Sequence, residues 1–463
     1  MEILTAAQIK KVDEIAVQSG LNEADLIENA GFAAACVIAD YFEKRPVCVL
    51  CGAGNNGADG LVCARILQNF GWRVQVLLFG DKSKMRPAAA SKLAAFTGDV
   101  FAFSFERAQK AAAKGSLFVD ALFGTGFSRD LPDEIAETFR FLNENNAVCA
   151  ALDMPSGARA DTGALSPIAL KCAATITFCR CKPAAFLYPA KAFFGELFLR
   201  GAGLPDSAVS QAKPYLETID ESTKPPAPPS FADHKYTRGA TLIVGGVMSG
   251  AGRLAALGAQ KAGAGMVKIA APSASLPLYA RHPAFVTQAC DDEKSLAAAI
   301  ADKKVKSVAL GMGLGDDARA AFAVKTAASC GKPVVFDADA LRFLKGADLK
   351  GQAVLTPHAA EFSALFGDID EEGKINRARK AAERADAVVV LKGADTVVAD
   401  PSGKAAINTN APFTLATAGS GDVLAGIAAA YLANGLPPYE AAKAAVFTHS
   451  QDGFVSGVLR GGL

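Results

Sequence analysis

Three apolar runs in the first half of the chain end in groups that bind ligands or move protons. Residues 46–51 lead into Gly52-Ala53-Gly54-Asn55-Asn56-Gly57-Ala58-Asp59-Gly60, residues 116–119 reach Asp120, and residues 147–152 reach Asp153. If these runs are parallel strands, their carboxyl ends share one crevice, which is where open α/β sheets bind ligands. Gly52, Gly54 and Gly57 satisfy G-x-G-x-x-G, and Asp81 follows the next run, 73–79, so a nicotinamide-dependent dehydrogenase competes as a reading. Asp59 argues against it: placed at the N-terminus of a helix over 61–70, it would contest the N–H donors a pyrophosphate needs. Asp120 with the Asn56 and Ser156 oxygens suits a hard cation, and Asp153 suits proton transfer if burial raises its pKa. The competing account is that each aspartate only caps the polar turn behind it, Gly124-Thr125-Gly126-Phe127-Ser128-Arg129-Asp130 or Met154-Pro155-Ser156-Gly157.

The second half carries different chemistry. Gly245-Gly246 with Ser249-Gly250-Ala251-Gly252, and Gly311-Met312-Gly313-Leu314-Gly315, allow close backbone approach to a ligand. Asp337-Ala338-Asp339, Thr356-Pro357-His358 with Glu361, and Lys392-Gly393-Ala394-Asp395-Thr396 each follow a strand-like run. Lys392 to Thr396 supply a cation and hydroxyls for a nucleotide phosphate, whereas His358 is equally a loop residue or a ligand contact. Thr417-Ala418-Gly419-Ser420-Gly421-Asp422 opens an apolar helix over 423–432. Such a loop forms an anion hole at a helix start, and Asp422 stands where it can take a proton from an attacking hydroxyl, a minimal apparatus for phosphoryl transfer. No Walker motif is present.

These groups need rigid elements beneath them. Short Val/Ile/Leu/Phe runs alternate with Ala-rich segments of helical period throughout the 463 residues, which predicts an α/β fold with parallel strands in two or three domains. The clearest break is Pro225, Pro226, Pro228 and Pro229 after an acidic stretch. It predicts domains over 1–212 and 231–463 joined by an extended Pro-rich linker over 213–230. With 48 Lys+Arg against 47 Asp+Glu, the chain offers no electrostatic footprint for nucleic acid. No apolar run is long enough to span a bilayer, and the first fifteen residues lack the pattern of a secretory signal, so a cytoplasmic protein is expected. Ten cysteines raise the question of a metal. Cys48 and Cys51, an odd step apart on one strand, face opposite sides, and reduced, mostly buried thiols are expected instead of zinc.

Leu26-Ile27-Glu28-Asn29-Ala30-Gly31, Asn55 to Gly60, Val119 to Gly126 and Asp153 to Gly157 resemble the epimerase signatures of the bifunctional NAD(P)H-hydrate repair enzymes. The resemblance continues through Gly245-Gly246, Gly311 to Gly315, Asp337 to Leu341, Thr356-Pro357-His358 and Gly419 to Gly426, the pattern of their ribokinase-like dehydratase half. It covers nearly the whole chain. It implies an N-terminal Rossmann-like α/β/α epimerase domain and a C-terminal ribokinase-like α/β dehydratase domain. Asn55, Asn56, Gly57, Ala58, Asp59, Gly124 to Asp130 and Asp153 would bind the hydrated nicotinamide (NADHX or NADPHX), with Asp153 catalytic. Asn56, Asp120 and Ser156 would hold K+. In the second domain Ala251, Gly313, His358 and Asp422 would contact the hydrate, Asp422 as base. Lys392 to Thr396 and Gly421 would hold ADP, the phosphoryl donor, with Mg2+. A homo-oligomer is also expected. One departure stands out: Ala359-Ala360 follows His358 where the family usually carries Pro-Gly. A small-molecule kinase fused to a non-catalytic binding module is the competing assignment.

Overall fold

Val47–Cys51, Leu117–Ala121 and Ala174–Phe178 are buried at every position, Asp120 included. Strands with no polar face belong in the middle of a sheet covered on both sides. In the computed structural model they form the centre of a parallel sheet ordered Asp99–Ala102, Val74–Leu78, Val47–Cys51, Leu117–Ala121, Cys149–Leu152, Ala174–Phe178, Glu196–Arg200. The structure describes residues 1–463 except Pro228, Pro229, Ala232, Asp233, Lys235, Tyr236, Thr237, Asp452, Gly462 and Leu463. One apolar layer joins the sheet to Glu23–Tyr41 and Asn55–Asn69, and another joins it to Phe105–Ala112 and Asp133–Glu144, giving α/β/α layering. Cys51 lies in the first layer and Cys48 in the second, as the odd spacing requires. Among the described residues no group of three or more His, Cys, Asp or Glu is placed to hold a metal. Strand order reverses between Val47–Cys51 and Leu117–Ala121, where Leu50 pairs with Asp120. That reversal opens the crevice at the carboxyl ends.

Thr5 and Gln8 form a capping box on Ala6–Gln18, and Asn22 accepts from the Ala24 N–H at the start of Glu23–Tyr41. The glycine motif departs from expectation. Asn55–Asn69 begins six residues earlier than the 61 expected, with Gly54 as its N-cap, so Asn55 to Gly60 are helix and not loop. The glycines that suggested a loop are there for contact. A Cβ on Gly57 would lie 1.9 Å from the Gly52 carbonyl, and one on Gly60 would lie 2.4 Å from the Ala121 Cβ. Asp59 therefore stands a full turn inside the helix, and the objection that it would displace an anion from the helix start does not hold.

The C-terminal unit begins at Tyr215 apart from Met1, while Glu2–Pro214 form the other. Its sheet runs Leu216–Ile219, Ala405–Asn408, Val397–Ala399, Val388–Leu391, Ala353–Leu355, Val334–Phe336, Val305–Leu310, Ala240–Val244, Met266–Ala271, Phe285–Ala289. Only the pairings that flank Val397–Ala399 are antiparallel. The linker expected over 213–230 thus contains a strand. Leu216, Thr218 and Ile219 are buried, while Glu217 reaches Lys443 at 2.6 Å, so the acidic stretch is the polar edge of a paired strand. The part of the expected linker at Pro228 and Pro229 lies outside the described residues. Ser420–Ala433 is buried from Val423 onward and crosses Ser249–Lys261 so closely that a Cβ on Gly426 would meet the Ala255 carbonyl at 1.9 Å. Among the described residues no helix is long and apolar enough to cross a membrane.

Gly57→Ala should destabilise the N-terminal unit by about 2 kcal/mol or more, because the obstacle is backbone. Gly54→Ala, whose Cβ would meet nothing within 4 Å, should leave stability nearly unchanged. Denaturant unfolding of both variants checks the contrast.

Candidate active site

A cleft of about 1370 Å³ lies over the strand reversal of the N-terminal unit. Asn55, Asn56 and Asp59 line it from the first turns of Asn55–Asn69, Gly124 to Arg129 from the loop after Leu117–Ala121, and Asp153 from the end of Cys149–Leu152. Asp153 has φ +67° and accepts from the Thr125 N–H at 3.0 Å. A Cβ on Gly124 would lie 2.7 Å from Asp153 Oδ2 and 3.5 Å from Asn56 Cβ, so the bare glycine lets these two side chains converge. Phe123 and Phe127 stack at 4.6 Å as an apolar wall.

Asp120 is wholly buried. It accepts from the Ser156 N–H and Ser156 hydroxyl, both at 2.7 Å, and from the Leu122 N–H at 3.1 Å; burial still pushes its carboxyl up to about 6. Both polar atoms of the nearby Asn56 amide are buried without a hydrogen-bond partner. Unpaired buried amides are costly, so a hard cation taking Asn56 Oδ1 fits this set of oxygens.

Several of the expected residues are already engaged within the protein. Gly57 packs on Gly52, and Ala58 is buried against Ile27, Val62 and Ala89. Asp130 is held by the Ser166 hydroxyl at 2.5 Å and Arg159 at 3.3 Å, and the Ser128 carbonyl accepts from Arg159. The Asn55 amide spans Glu23 at 3.1 Å and Arg86 at 3.3 Å. Asp81, the candidate ribose acid, caps its own turn through the Ser83 N–H at 2.9 Å.

The sequence reading missed Lys182. Only 2% exposed, it pairs with Asp153 and donates to Thr177 Oγ1 at 2.9 Å and the Phe178 carbonyl at 3.0 Å. It also missed Asp13 on Ala6–Gln18, which reaches solvent through the cleft mouth. The protein packed around Asp13 nonetheless raises it to about 6, with Asp153 and Glu23 reinforcing the shift and Lys182 opposing it. Desolvation beside Asp153 and Asp13 likewise drives Asp59 well above the usual carboxylate range.

In the C-terminal unit, Gly419 takes φ +88° as the N-cap of Ser420–Ala433, a conformation open to glycine, and no side chain caps the helix start. Asp422 stands in its first turn. Burial raises its carboxyl to about 6, reinforced by Asp337 and Asp339 and opposed by Lys392. Lys392 Nζ lies 2.8 Å from Asp337 Oδ1 and 3.4 Å from where a Gly421 Cβ would stand, so cation and glycine loop meet. Thr356 Oγ1 also donates to Asp337, at 2.7 Å. The rest of the Lys392 to Thr396 motif closes a turn between antiparallel strands. The Thr396 hydroxyl donates to the Gly393 carbonyl at 2.7 Å, and Asp395 pairs with Lys374 at 2.5 Å. Gly313, at φ +64°, would bring a Cβ within 3.3 Å of Ala251 Cβ, which joins the loops after Val305–Leu310 and Ala240–Val244. Ser249 to Gly252 are the first turn of Ser249–Lys261, again helix where a loop was expected. His358 is an N-cap: its Nδ1 accepts from the Ala360 and Glu361 N–H groups, and its own N–H donates to Glu361 at 2.8 Å. Starting a helix directly at Ala359 explains the tolerance for Ala359-Ala360.

Two α/β units, each with acidic groups at the carboxyl ends of its strands and one with an open helix start beside a lysine, define a two-centre enzyme of the nucleotide-handling class. Residues 23–184 match the family model of the YjeF-related protein N-terminus, and residues 241–455 that of NAD(P)H-hydrate dehydratase. The bifunctional NAD(P)H-hydrate repair enzyme of Thermofilum pendens is 34% identical, over 100% of this chain and 93% of its own length. That of Salinibacter ruber is 34% identical over 96% and 90%. A solved structure of the ADP/ATP-dependent NAD(P)H-hydrate dehydratase of Bacillus subtilis, co-crystallised with ATP and Mg2+, is 30% identical, with a TM-score of 0.45, and covers 50% of this chain and 87% of its own. The chain belongs to the bifunctional NAD(P)H-hydrate repair enzyme family.

Lys392→Met would leave the buried Asp337 without its cation and should cost the C-terminal unit about 3 kcal/mol. Lys392→Met with Asp337→Asn should recover part of that loss in the same unfolding measurement.

Proposed function

We propose that the chain repairs hydrated NADH and NADPH. The N-terminal unit interconverts the R and S hydrates, and the C-terminal unit dehydrates the S hydrate at the expense of ADP. The observation that carries the second activity is Asp422, poised in the first turn of an uncapped helix beside Lys392. The hydrate carries a hydroxyl at C6, a poor leaving group. Asp422 takes its proton, and the oxygen attacks the terminal phosphorus of the nucleotide. The Gly421 N–H at the open helix start and the Lys392 ammonium stabilise the charge on the transferred group. Electrons from the ring nitrogen then expel phosphate and restore the reduced nicotinamide. Magnesium enters with the nucleotide phosphates as part of that co-substrate, and preference for ADP over ATP is part of the proposal.

In the N-terminal unit Asp153 serves as proton carrier at the hydrate. Asn56, Asp120 and Ser156 hold K+, which supplies a fixed positive charge near the bound substrate. The unpaired Asn56 amide supports this assignment. The cysteines, free and mostly buried, fit a reducing cytoplasm.

Mixing the protein with hydrate and ADP should bring back the reduced-nicotinamide absorbance; phosphate transfer without that return would instead indicate a kinase. Asp422→Asn should cut dehydration by about 10²-fold or more while leaving epimerisation intact. Because Asp422 must be ionised to act, the wild-type chemical step should fall about tenfold per pH unit below about 6. That limb should vanish in the variant.

Asp120→Ala should abolish K+ dependence of epimerisation and leave dehydration of the S hydrate unchanged. Anomalous scattering from crystals grown in potassium checks the site directly: density at Asn56, Asp120 and Ser156 is expected in the wild type and none in the variant.

A further inference from the structure

Lys182 and Asp13 are two charged groups of the N-terminal cleft with no role so far. Lys182 directs its ammonium at three acceptors, Asp153 Oδ1, Thr177 Oγ1 and the Phe178 carbonyl, which uses all three of its protons. An ammonium at 2% exposure is tolerated only when paired this completely. Thr177 and Phe178 end the strand Ala174–Phe178, and Asp153 ends the neighbouring strand Cys149–Leu152, so Lys182 ties two strand ends and fixes one carboxylate orientation. The other Asp153 oxygen receives the Thr125 N–H from a third loop.

Asp13 comes from Ala6–Gln18, ahead of the segment matched by the family model, and lines the same cleft. The charged groups facing it are Lys182, Asp153, Asp59 and Glu23 from other elements, and Glu14 and Lys10 from its own helix. One buried cation among so many carboxylates cannot hold all of them ionised, and Lys182 is committed by direct contact to Asp153.

We infer that Asp153 works as one member of a proton-transfer set, in which Lys182 is the positioning residue that fixes it as the charged base and Asp13 is a second proton carrier at the same cleft. The inference rests on the epimerase reading above. C6 of the hydrate bears both the hydroxyl and the ring nitrogen, so inversion needs one bond at C6 to open. Asp153 takes the hydroxyl proton, the C–O bond becomes a carbonyl, and the C6–N1 bond breaks with its electron pair passing to N1 and the conjugated carboxamide. Asp13 supplies the proton that neutralises this charge. After rotation about C5–C6, N1 adds to the other face of the carbonyl; Asp153 returns its proton to oxygen and Asp13 recovers its own. No atom or electron is gained or lost, and no external oxidant or reductant is used.

The test uses the full chain, with the R and S hydrates separated by chromatography after reaction at pH values between about 5 and 8. Wild-type epimerisation should fall on the alkaline side, above about 6, as Asp13 loses its proton. Asp13→Asn, isosteric at the cleft mouth, should lose about 10²-fold in kcat and lose the alkaline limb. Lys182→Met should lose a similar factor in kcat with KM within about threefold, because the Asp153 carboxylate is no longer held in one orientation. Circular dichroism reports whether the N-terminal unit of each variant is folded. An alkaline limb that persists in Asp13→Asn overturns the role of Asp13. A Lys182→Met loss that only tracks the unfolded fraction, or that falls on KM with kcat unchanged, overturns the role of Lys182. An inactive wild type overturns the epimerase reading itself and this inference with it, whereas active wild type with unaffected variants overturns this inference alone.

Discussion

A carboxylate placed at the inner end of a parallel strand has lost its water and must be given donors, and the loops of both units are arranged around that demand. Asp120 is met by two groups of Ser156 and the Leu122 N–H, which folds the turns after two neighbouring strands onto each other. Asp153 is met by Lys182 and the Thr125 N–H, Asp337 by Lys392 and Thr356. Apart from the Leu122 N–H, each donor comes from a different strand end than the acid it serves. Satisfying the acids therefore fixes the relative positions of the loops that form each site.

Those loops come this close only because backbone meets backbone. Gly52 lies against the Leu122 carbonyl, Gly57 against the Gly52 carbonyl, and Gly246 against the Gly313 carbonyl, with no room for a Cβ at any of them. In the C-terminal unit the same device acts between helices: Gly426 on Ala255 and Gly258 on Val423 set the depth at which Ser420–Ala433 lies, and so where its open first turn is presented. Much of the glycine that reads as phosphate-loop chemistry is thus packing. The ligand-facing share is smaller, as at Gly54, where a Cβ would find open space.

This explains what the sequence could reveal. The strand ends and their aspartates were legible because apolar runs and the polar residue that terminates them are adjacent in the chain. The starts of Asn55–Asn69 and Ser249–Lys261 were not, because glycine lowers helix propensity and only the third dimension shows that neighbouring groups fill the space of missing side chains at Gly57, Gly60 and Gly252. Leu216–Ile219 was hidden by its acidic surroundings, since a partner for Glu217 lies more than two hundred residues away at Lys443. Lys182 sits in Arg180-Cys181-Lys182-Pro183, a segment with no motif of its own. Its meaning is made by Asp153 and Thr177, brought beside it by strand pairing. The one available signal was a lysine soon after a buried strand, which is too common to single out. Asp13 carries no motif, and its elevated pKa arises first from the protein packed around it and then from carboxylates such as Asp153 and Glu23 on other elements.

Satisfied and unsatisfied polar groups divide the two sites into scaffold and working parts. Asp81, Asp130 and Asp395 have local partners and hold turns together. His358 spends its ring nitrogen on two N–H groups and joins them, which leaves its Nε2, 3.3 Å from Glu361, as the atom available to a ligand. The Asn56 amide has no partner, and Asp13, Asp59 and Asp422 are held above the carboxylate range by their surroundings. Each of these costs stability in the free protein, and a fold selected for stability alone would have paired or replaced them. Asp120 falls between the classes: three hydrogen bonds fix its orientation, yet a carboxylate has about four acceptor positions, so one is left over. The same side chain thereby belongs to the rigid loop contacts and, like the Asn56 amide, keeps a polar position unmatched.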